Sequence, residues 1–289
     1  MTYEHTRETE PIECINPLMP MNNTNNNDDD DIVYAAVQIE YKEMASWYDK
    51  FWKSYTDATL KRPLNDVVKH IIINNNIREE DDGHGRFTIV DVGCGTGTFL
   101  RRLLDVISRR FSPSISSSSR HDENITRTIQ LIGIEPSKEM LKEAHKKFDN
   151  KEEAEEESVI LLKQSPAEQL PLDTDSANVV VSTNAFHFFR NKERSLQEMK
   201  RVLKHNGTLI ITDWCNDYWI VKLYHFLEKI RWNWRFKESY PGPLTSCKLI
   251  DLVESAGFCD DVEHTMYRVR VFGIFFWGMQ TIMAKKRDR

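Results

Sequence analysis

The chain has 289 residues, 40% of them apolar and seven of them Trp, enough for a real core in one large domain or two small ones. Its formal charge of −6 argues against a sequence-independent nucleic-acid binder, which needs a basic face, so no nucleic-acid partner is expected. Five cysteines (Cys14, Cys94, Cys215, Cys247, Cys259), odd in number and without a CxxC pair, fit reduced thiols in a cytoplasmic protein better than a disulfide framework or a zinc site.

The first residues, "MTYEHTRETEPIEC", have no apolar core of a secretory signal, and their acids disfavour a mitochondrial transit peptide. Residues 1–31 include "NNTNNNDDDD", too polar to offset the entropy of ordering, and are expected to form a disordered tail. Residues 32–289 are read as one domain. Val33, Ala36, Val37, Tyr41, Met44 and Ala45 share a helical face, "SWYDKFW" follows, and a helix broken at Arg62-Pro63 resumes through Val67, Val68, Ile71 and Ile72. "FTIVDVG" is the first strong strand, and Phe99–Ile107 the helix after it. Ser108–Thr128 is a low-complexity polar insertion.

"IQLIGIEPS", "VILLKQS", "ANVVVSTNAF" and "GTLIITDW" are four further strands. "KEMLKEAHKKF" follows the first of these as a helix, and "DNKEEAEEES" is an acidic loop or frayed helix end. "ERSLQEMKRVL" is the helix before the last strand, closed by Asn206-Gly207 as a left-handed turn. This alternation means a parallel α/β sheet. Tyr218–Arg235 is helical and rich in aromatics, for which acceptor-site cover, membrane-surface contact and plain packing all compete. "LTSCKLIDLVESAGF" ends a helix at Gly257, and two strands close enough to pair antiparallel finish the chain. Val271–Met283, the longest apolar run, is too short for a bilayer span of about 20 residues, so no stable membrane insertion is expected.

The glycine turn "VDVGCGTG" poses the functional question. It is not a P-loop, because no Lys-Ser or Lys-Thr follows, and it departs from G-x-G-x-x-G because Thr98 or Leu100 takes the third place. Its pattern is Asp91, Gly93, Gly95, Gly97. Glycines let a ligand approach the backbone, while an acid at the strand end repels pyrophosphate and suits a cationic amine. Glu135 ends the next strand. It lies roughly 17 residues past Gly97 once the insertion is set aside, near the spacing of about 20 for a ribose-binding carboxylate.

A nucleoside with a cationic tail is S-adenosyl-L-methionine, and here four stretches in order carry a resemblance. "VDVGCGTG", "GIEPSKEML", "SPAEQLPLDTDSANVVVSTNAFHFF" and "EMKRVLKHNGTLIITDW" resemble the motifs of class I S-adenosylmethionine-dependent methyltransferases. The nearest branch is that of type-11 and ubiquinone/menaquinone-type small-molecule enzymes, over roughly residues 48–285. Pro166 stands where that family often has an adenine-binding Asp, Asn178 replaces an Asp, and Asn206-Gly207 replaces Pro-Gly. The resemblance implies a Rossmann-like, doubly wound, seven-stranded, mostly parallel sheet with an antiparallel last pair and an N-terminal helical lid. It implies methyl transfer from S-adenosylmethionine to a small-molecule acceptor, by a monomer or homodimer, without a metal.

The same resemblance places Tyr48, Asp91, Gly93, Cys94, Gly95, Gly97, Glu135, Pro136, Ala167, Glu168 and Asn184 at the cofactor. Asp213 and Trp214, at the end of the fifth strand, and Tyr218, in the aromatic block after it, are candidates to line the acceptor pocket, and His187, in the loop after the fourth strand at the carboxyl edge of the sheet, is the candidate general base. Packing is the competing role for His187, Tyr48 and Trp214. The rival functions are a protein-methylating enzyme and a non-catalytic cofactor-binding interaction protein. Cys94 and Cys215 also raise an arsenite methyltransferase, whose full cysteine set is not matched.

Overall fold

The computed structural model describes residues 27–77, 86–111, 129–148, 160–236, 241–258, 261–271 and 273–287. The expected disordered tail lies largely outside them, as do most of the polar insertion, the acidic loop, Cys14 and Cys259.

Three helices come first: α1 (Asn27–Met44), α2 (Tyr48–Thr59) and α3 (Lys61–Ile77). The first begins inside the acidic run, earlier than its apolar periodicity indicated. The break between α2 and α3 falls at Leu60, not at Arg62-Pro63. Pro63 sits in the first turn of α3, where its missing N–H costs no helical bond.

The sheet then builds as β1 (Phe87–Val92), α4 (Thr98–Phe111), β2 (Ile129–Glu135), α5 (Lys138–Phe148), β3 (Ile160–Gln164) and β4 (Ala177–Thr183). A single 3-10 turn, Phe186–Phe188, leads to α6 (Lys192–Val202), β5 (Leu203–Trp214), α7 (Trp219–Phe236), α8 (Ser246–Ser255), β6 (Glu263–Val271) and β7 (Phe275–Lys285). The seven strands lie in the order β3-β2-β1-β4-β5-β7-β6. Six point one way, and β7 runs antiparallel to both β5 and β6. This is the expected mixed sheet.

Strand periodicity sorts the core. On β1, Ile89 joins Val179, Val181 and Ile210 under α3 and α4, where Val67, Ile71, Leu100 and Leu103 cover them. Its neighbours Val90 and Val92 join Val180, Leu209 and Ile211 on the opposite face, under Leu196 and Met199 of α6 and Leu249 and Val253 of α8. Both faces are thus dry, as a parallel sheet requires.

Two turns show how the sequence ends its helices. The carbonyls of Glu254 and Val253 accept from the N–H groups of Gly257 and Phe258, with Gly257 at φ +88°. That is the paired bonding of a left-handed glycine stop. Asn206 does not perform this task for α6, contrary to expectation. α6 ends at Val202, and Asn206 (φ +59°) lies inside β5, in a bulge where pairing with β4 jumps from Ala177/Leu203 to Val179/Thr208. Its N–H donates to the Lys286 carbonyl, so the positive φ serves the sheet edge.

The strand order reverses between β1 and β4. Successive connections leave that point to opposite sides, opening a crevice at the carboxyl ends of the strands. The glycine turn after β1 and the Asn184–Phe189 segment after β4 face each other across it.

Candidate functional site

The glycine turn is built by its neighbours. Gly93, Gly95 and Gly97 all have positive φ (77°, 54° and 73°), a region side chains resist. A Cβ on Gly93 would come within 2.6 Å of the Ala185 Cβ, and one on Gly97 within 2.9 Å of the Phe148 ring. Nothing lies within 4 Å of the corresponding point on Gly95. Two of these glycines are therefore needed for packing, and the middle one opens onto space.

The turn's N–H groups are largely spent. Gly93 and Cys94 donate to the Ile134 carbonyl, Gly97 to the Cys94 carbonyl, and Gly95 to Glu135 Oε2 at 3.0 Å. Few remain to cradle a phosphate. Glu135 Oε1 accepts from the Ser137 N–H at 2.9 Å, so its carboxylate bridges the turn and the start of α5.

The space in front of Gly95 is a cavity of about 920 Å³, its open mouth included. Gly93, Cys94, Gly95, Glu135, Pro136, Ala167, Glu168 and Asn184 are on its wall, together with Tyr48 from α2 and Tyr34, Val37, Gln38 and Tyr41 from α1. Among the described residues, the charged ones on this wall are Glu135 and Glu168. One Glu168 oxygen accepts from the Asn191 N–H at 2.8 Å. Gly97 and Asp91 are not on the wall. Gly97 packs against α5, and Asp91 is fully buried in β1 with neither carboxylate oxygen hydrogen-bonded. Burial, then the nearby Glu135 charge, push Asp91 up to about 8. Burial pushes Glu135 up to about 7 against the bonds from Ser137 and Gly95.

A second cavity, of about 580 Å³, shares Val37, Tyr41, Tyr48, Asn184 and Phe188 with the first. Its remaining wall is aromatic: Trp52 and Tyr55 from α2, Trp214 at the end of β5, and Tyr224 and Trp232 from α7. Glu40, Glu228 and Arg231 supply its charge. Arg231 donates to both carboxylates, and Glu40 Oε2 has no hydrogen-bond partner among the described residues. Asn184, at φ +55°, stands between the chambers. Its amide accepts from the Tyr55 hydroxyl at 2.7 Å and donates to Thr59 Oγ1 at 3.2 Å, while Trp214 Nε1 donates to the Tyr55 oxygen.

Three expected acceptor-side residues fall elsewhere. His187 is 1% exposed and on neither wall. Its Nδ1 lies 2.7 Å from Asp213 Oδ1, its ring stacks on Trp214 at 4.9 Å, and its Nε2 is buried without a partner. Asp213 is bound besides by the N–H groups of His187 and Trp214, at 2.8 and 2.7 Å. Tyr218 packs over Gly278 with Arg268 above its ring. These placements depart from the expectation of a base and two pocket residues facing the acceptor. The turn after β4 points His187 back into the sheet end, behind Trp214 and Phe188. Burial pushes the Cys94 thiol well up and the Cys215 thiol up to about 12, so both hold their protons.

One cluster was missed by sequence reasoning. Asp49 Oδ1 accepts from Thr96 Oγ1 at 2.6 Å and Thr98 Oγ1 at 3.0 Å, and Asp49 Oδ2 is 2.6 Å from Lys147 Nζ. Lys147 also donates to both threonines. The cluster ties the start of α2 to the glycine turn and to the end of α5. Despite the cost of partial burial, these partners hold Asp49 below the usual carboxylate range. The only local signal was Asp49 beside Tyr48.

Comparison with known proteins adds family to geometry. A methyltransferase-domain family (Methyltransf_11) matches residues 116–211, from the insertion to the middle of β5. A methyltransferase-like protein of Schizosaccharomyces pombe, itself uncharacterised, is 29% identical over 163 residues, 53% of this chain and 52% of that protein. The ubiquinone/menaquinone biosynthesis C-methyltransferase of Campylobacter jejuni is 26% identical over 125 residues, 43% of each chain. The chain thus spans about half the length of these curated relatives.

Among solved structures, a Thermotoga maritima S-adenosylmethionine-dependent methyltransferase, described as a possible histamine N-methyltransferase, superposes with a TM-score of 0.55. It is 18% identical over 86% of this chain and 98% of that one. A Haloferax volcanii methyltransferase in complex with the Trm112 activator gives 0.54, at 17% identity and the same coverage. At such identities these two structures speak to fold. The family match over part of the chain, the ordered motifs and the strand order make this chain similar to S-adenosylmethionine-dependent methyltransferases.

Proposed function

We propose that the protein transfers a methyl group from S-adenosylmethionine, held in the first cavity, to a small-molecule acceptor in the second. The observation that carries this reading is the charge of the first wall. Among the described residues it has carboxylates and no Lys or Arg, beside a glycine turn whose N–H groups are largely used. A dinucleotide or nucleotide phosphate would meet repulsion there, whereas a nucleoside with a cationic tail meets attraction.

In this reading Glu135 accepts from ribose hydroxyls, Gly95 leaves room for the sugar and tail, and Ala167 and Glu168 border the base. Asp91 adds negative potential from beneath the turn only where it ionises, at about pH 8 and above in the ligand-free protein. When bound, the cofactor supplies an activated methyl group and its own leaving group, so no covalent protein intermediate is required. The chain's task is to align a nucleophile and exclude water. Tyr48 and Asn184 stand where the chambers meet and are the positioning groups. The Tyr55–Trp214–Asn184 network holds that boundary rigid. Glu40, with one free oxygen, is the acceptor-side group able to take a hydrogen bond or a proton from an N–H or O–H nucleophile.

His187 is assigned a positioning role through Trp214 and Phe188, since the acceptor chamber does not reach its ring. The separate aromatic chamber favours a small acceptor over a protein side chain or a purely binding role. The test is turnover of methyl-labelled cofactor against a fractionated metabolite extract. Label should enter a small-molecule fraction, and Glu40→Gln should slow that transfer without weakening the cofactor. Label found only in protein would contradict the small-acceptor reading.

A further inference from the structure

The outer face of α7 is apolar and, among the described residues, bare. Trp219, Leu223, Phe226, Leu227, Ile230 and Trp234 recur at helical spacing along one side, and Trp219 and Trp234 are 70% and 85% exposed. The opposite side of the same helix lines the aromatic chamber through Tyr224, Glu228 and Trp232. Packing against this protein's own core therefore explains the inner side only. The β6–β7 turn adds Ile274, Phe275 and Phe276, all more than half exposed, and Trp277 ties that hairpin to α7 by a ring contact with Tyr224 at 5.2 Å. Scattered surface apolar residues are ordinary, but a continuous set on one helix and the adjoining hairpin marks an interaction surface.

Charge decides what kind of surface it meets. The chain carries −6 overall, yet α7 has a single carboxylate, Glu228, turned inward and paired with Arg231. Exposed basic groups adjoin the apolar stripe: Lys222 and Lys229 on α7, and Arg268 and Arg270 on β6 over the rings of Tyr218 and Phe276. A second copy applied through a two-fold axis would bring these cations against themselves. An anionic lipid surface suits both halves of the pattern, with Trp, Phe and Leu entering the headgroup boundary and the basic groups meeting its charge. No helix among the described residues is long and apolar enough to cross a membrane, so the contact is one of surface docking.

We propose that the outer face of α7, with the β6–β7 turn, docks this protein on an anionic lipid surface. The aromatic chamber then lies directly behind the docked helix. This goes beyond methyl transfer and does not depend on it.

The experiment is flotation of the full chain with phosphatidylcholine vesicles, with and without phosphatidylserine, at low and high salt. The protein should float with the anionic vesicles and be partly released by salt. Phe226→Ser/Ile230→Ser/Trp234→Ser, all exposed positions, should lower the bound fraction at least about tenfold while circular dichroism and S-adenosylhomocysteine affinity stay unchanged. Lys222→Glu/Lys229→Glu should weaken binding to phosphatidylserine vesicles most. Absence of flotation at low salt, or a triple variant that floats like the parent, overturns the proposal. So does a parent that is dimeric in solution and does not float, with the triple variant monomeric, because the face would then serve a second copy.

Discussion

Two buried carboxyls set the pH behaviour of the first cavity. Asp91 and Glu135 are both held above their ordinary values of 3.8 and 4.5, at about 8 and about 7. Because the Glu135 charge helps raise Asp91, the two titrations are linked. A carboxyl that takes its proton more readily in the fold than in the unfolded chain favours the fold at low pH. That contribution is whole below about pH 4 and is lost as pH rises through about 7 to 8. The ligand-free protein should therefore melt at a lower temperature at about pH 8 than at about pH 5, and Asp91→Asn should flatten the slope. Cofactor binding should tighten over the same rise, as the pair becomes anionic beside a cationic ligand. A parent whose melting temperature is flat across this range would remove the account of the pair. At His187 the prediction is equally direct. A general base is worth about 100-fold or more in rate. As a buried positioning residue, His187→Gln should keep turnover within about tenfold and leave the pH profile in place, with a stability loss of about 1–3 kcal/mol for disturbing the Asp213 bond. A hundredfold loss at unchanged melting temperature would restore it as the base.

At the scale of elements, α2 is tied at two places to the glycine turn and the helices beside it. Asp49 joins α2 to Thr96 and Thr98 of the glycine turn and start of α4, and to Lys147 of α5. Arg102 of α4 adds a second tie, donating to Asp57 and to the Thr56 carbonyl. The Asp49 side chain is partly exposed, so solvent screens the latch and its worth is about 1 kcal/mol. Asp49→Asn should accordingly weaken cofactor binding about fivefold, measured by calorimetry, while the sheet's spectroscopic signature is unchanged. Equal affinity would mean that the latch does not bear on the cavity. This cluster also shows where sequence reading stops. Its members lie in three separated stretches, and hydroxyl and ammonium partners leave no periodic trace. Glu135, by contrast, was legible, because a strand end at a fixed distance from the glycine turn constrains one carboxylate. The orientation of His187 was not, since a loop residue after a strand can face the crevice or the sheet end with the same sequence.

For the whole molecule, strand alternation and helix spacing carried the architecture, and the mixed strand order followed from family resemblance. What sequence could not place was the second chamber. Its wall draws on α1, α2, β5 and α7, elements brought together only by the sheet's topology. Two chambers that share Tyr48 and Asn184, one bordered by carboxylates and one by aromatic rings, are what supports the proposed division between cofactor and acceptor. The central claim is the identity of the ligand in the first chamber. Isothermal titration of the purified full chain with S-adenosylmethionine, S-adenosylhomocysteine and NAD tests it most directly, with Glu135→Ala as the matched variant. The account predicts saturable binding of both sulfur nucleosides, none of NAD, and loss of about 1–3 kcal/mol of binding free energy in Glu135→Ala. Binding of NAD in preference, or no binding of either sulfur nucleoside to a folded protein, would contradict it.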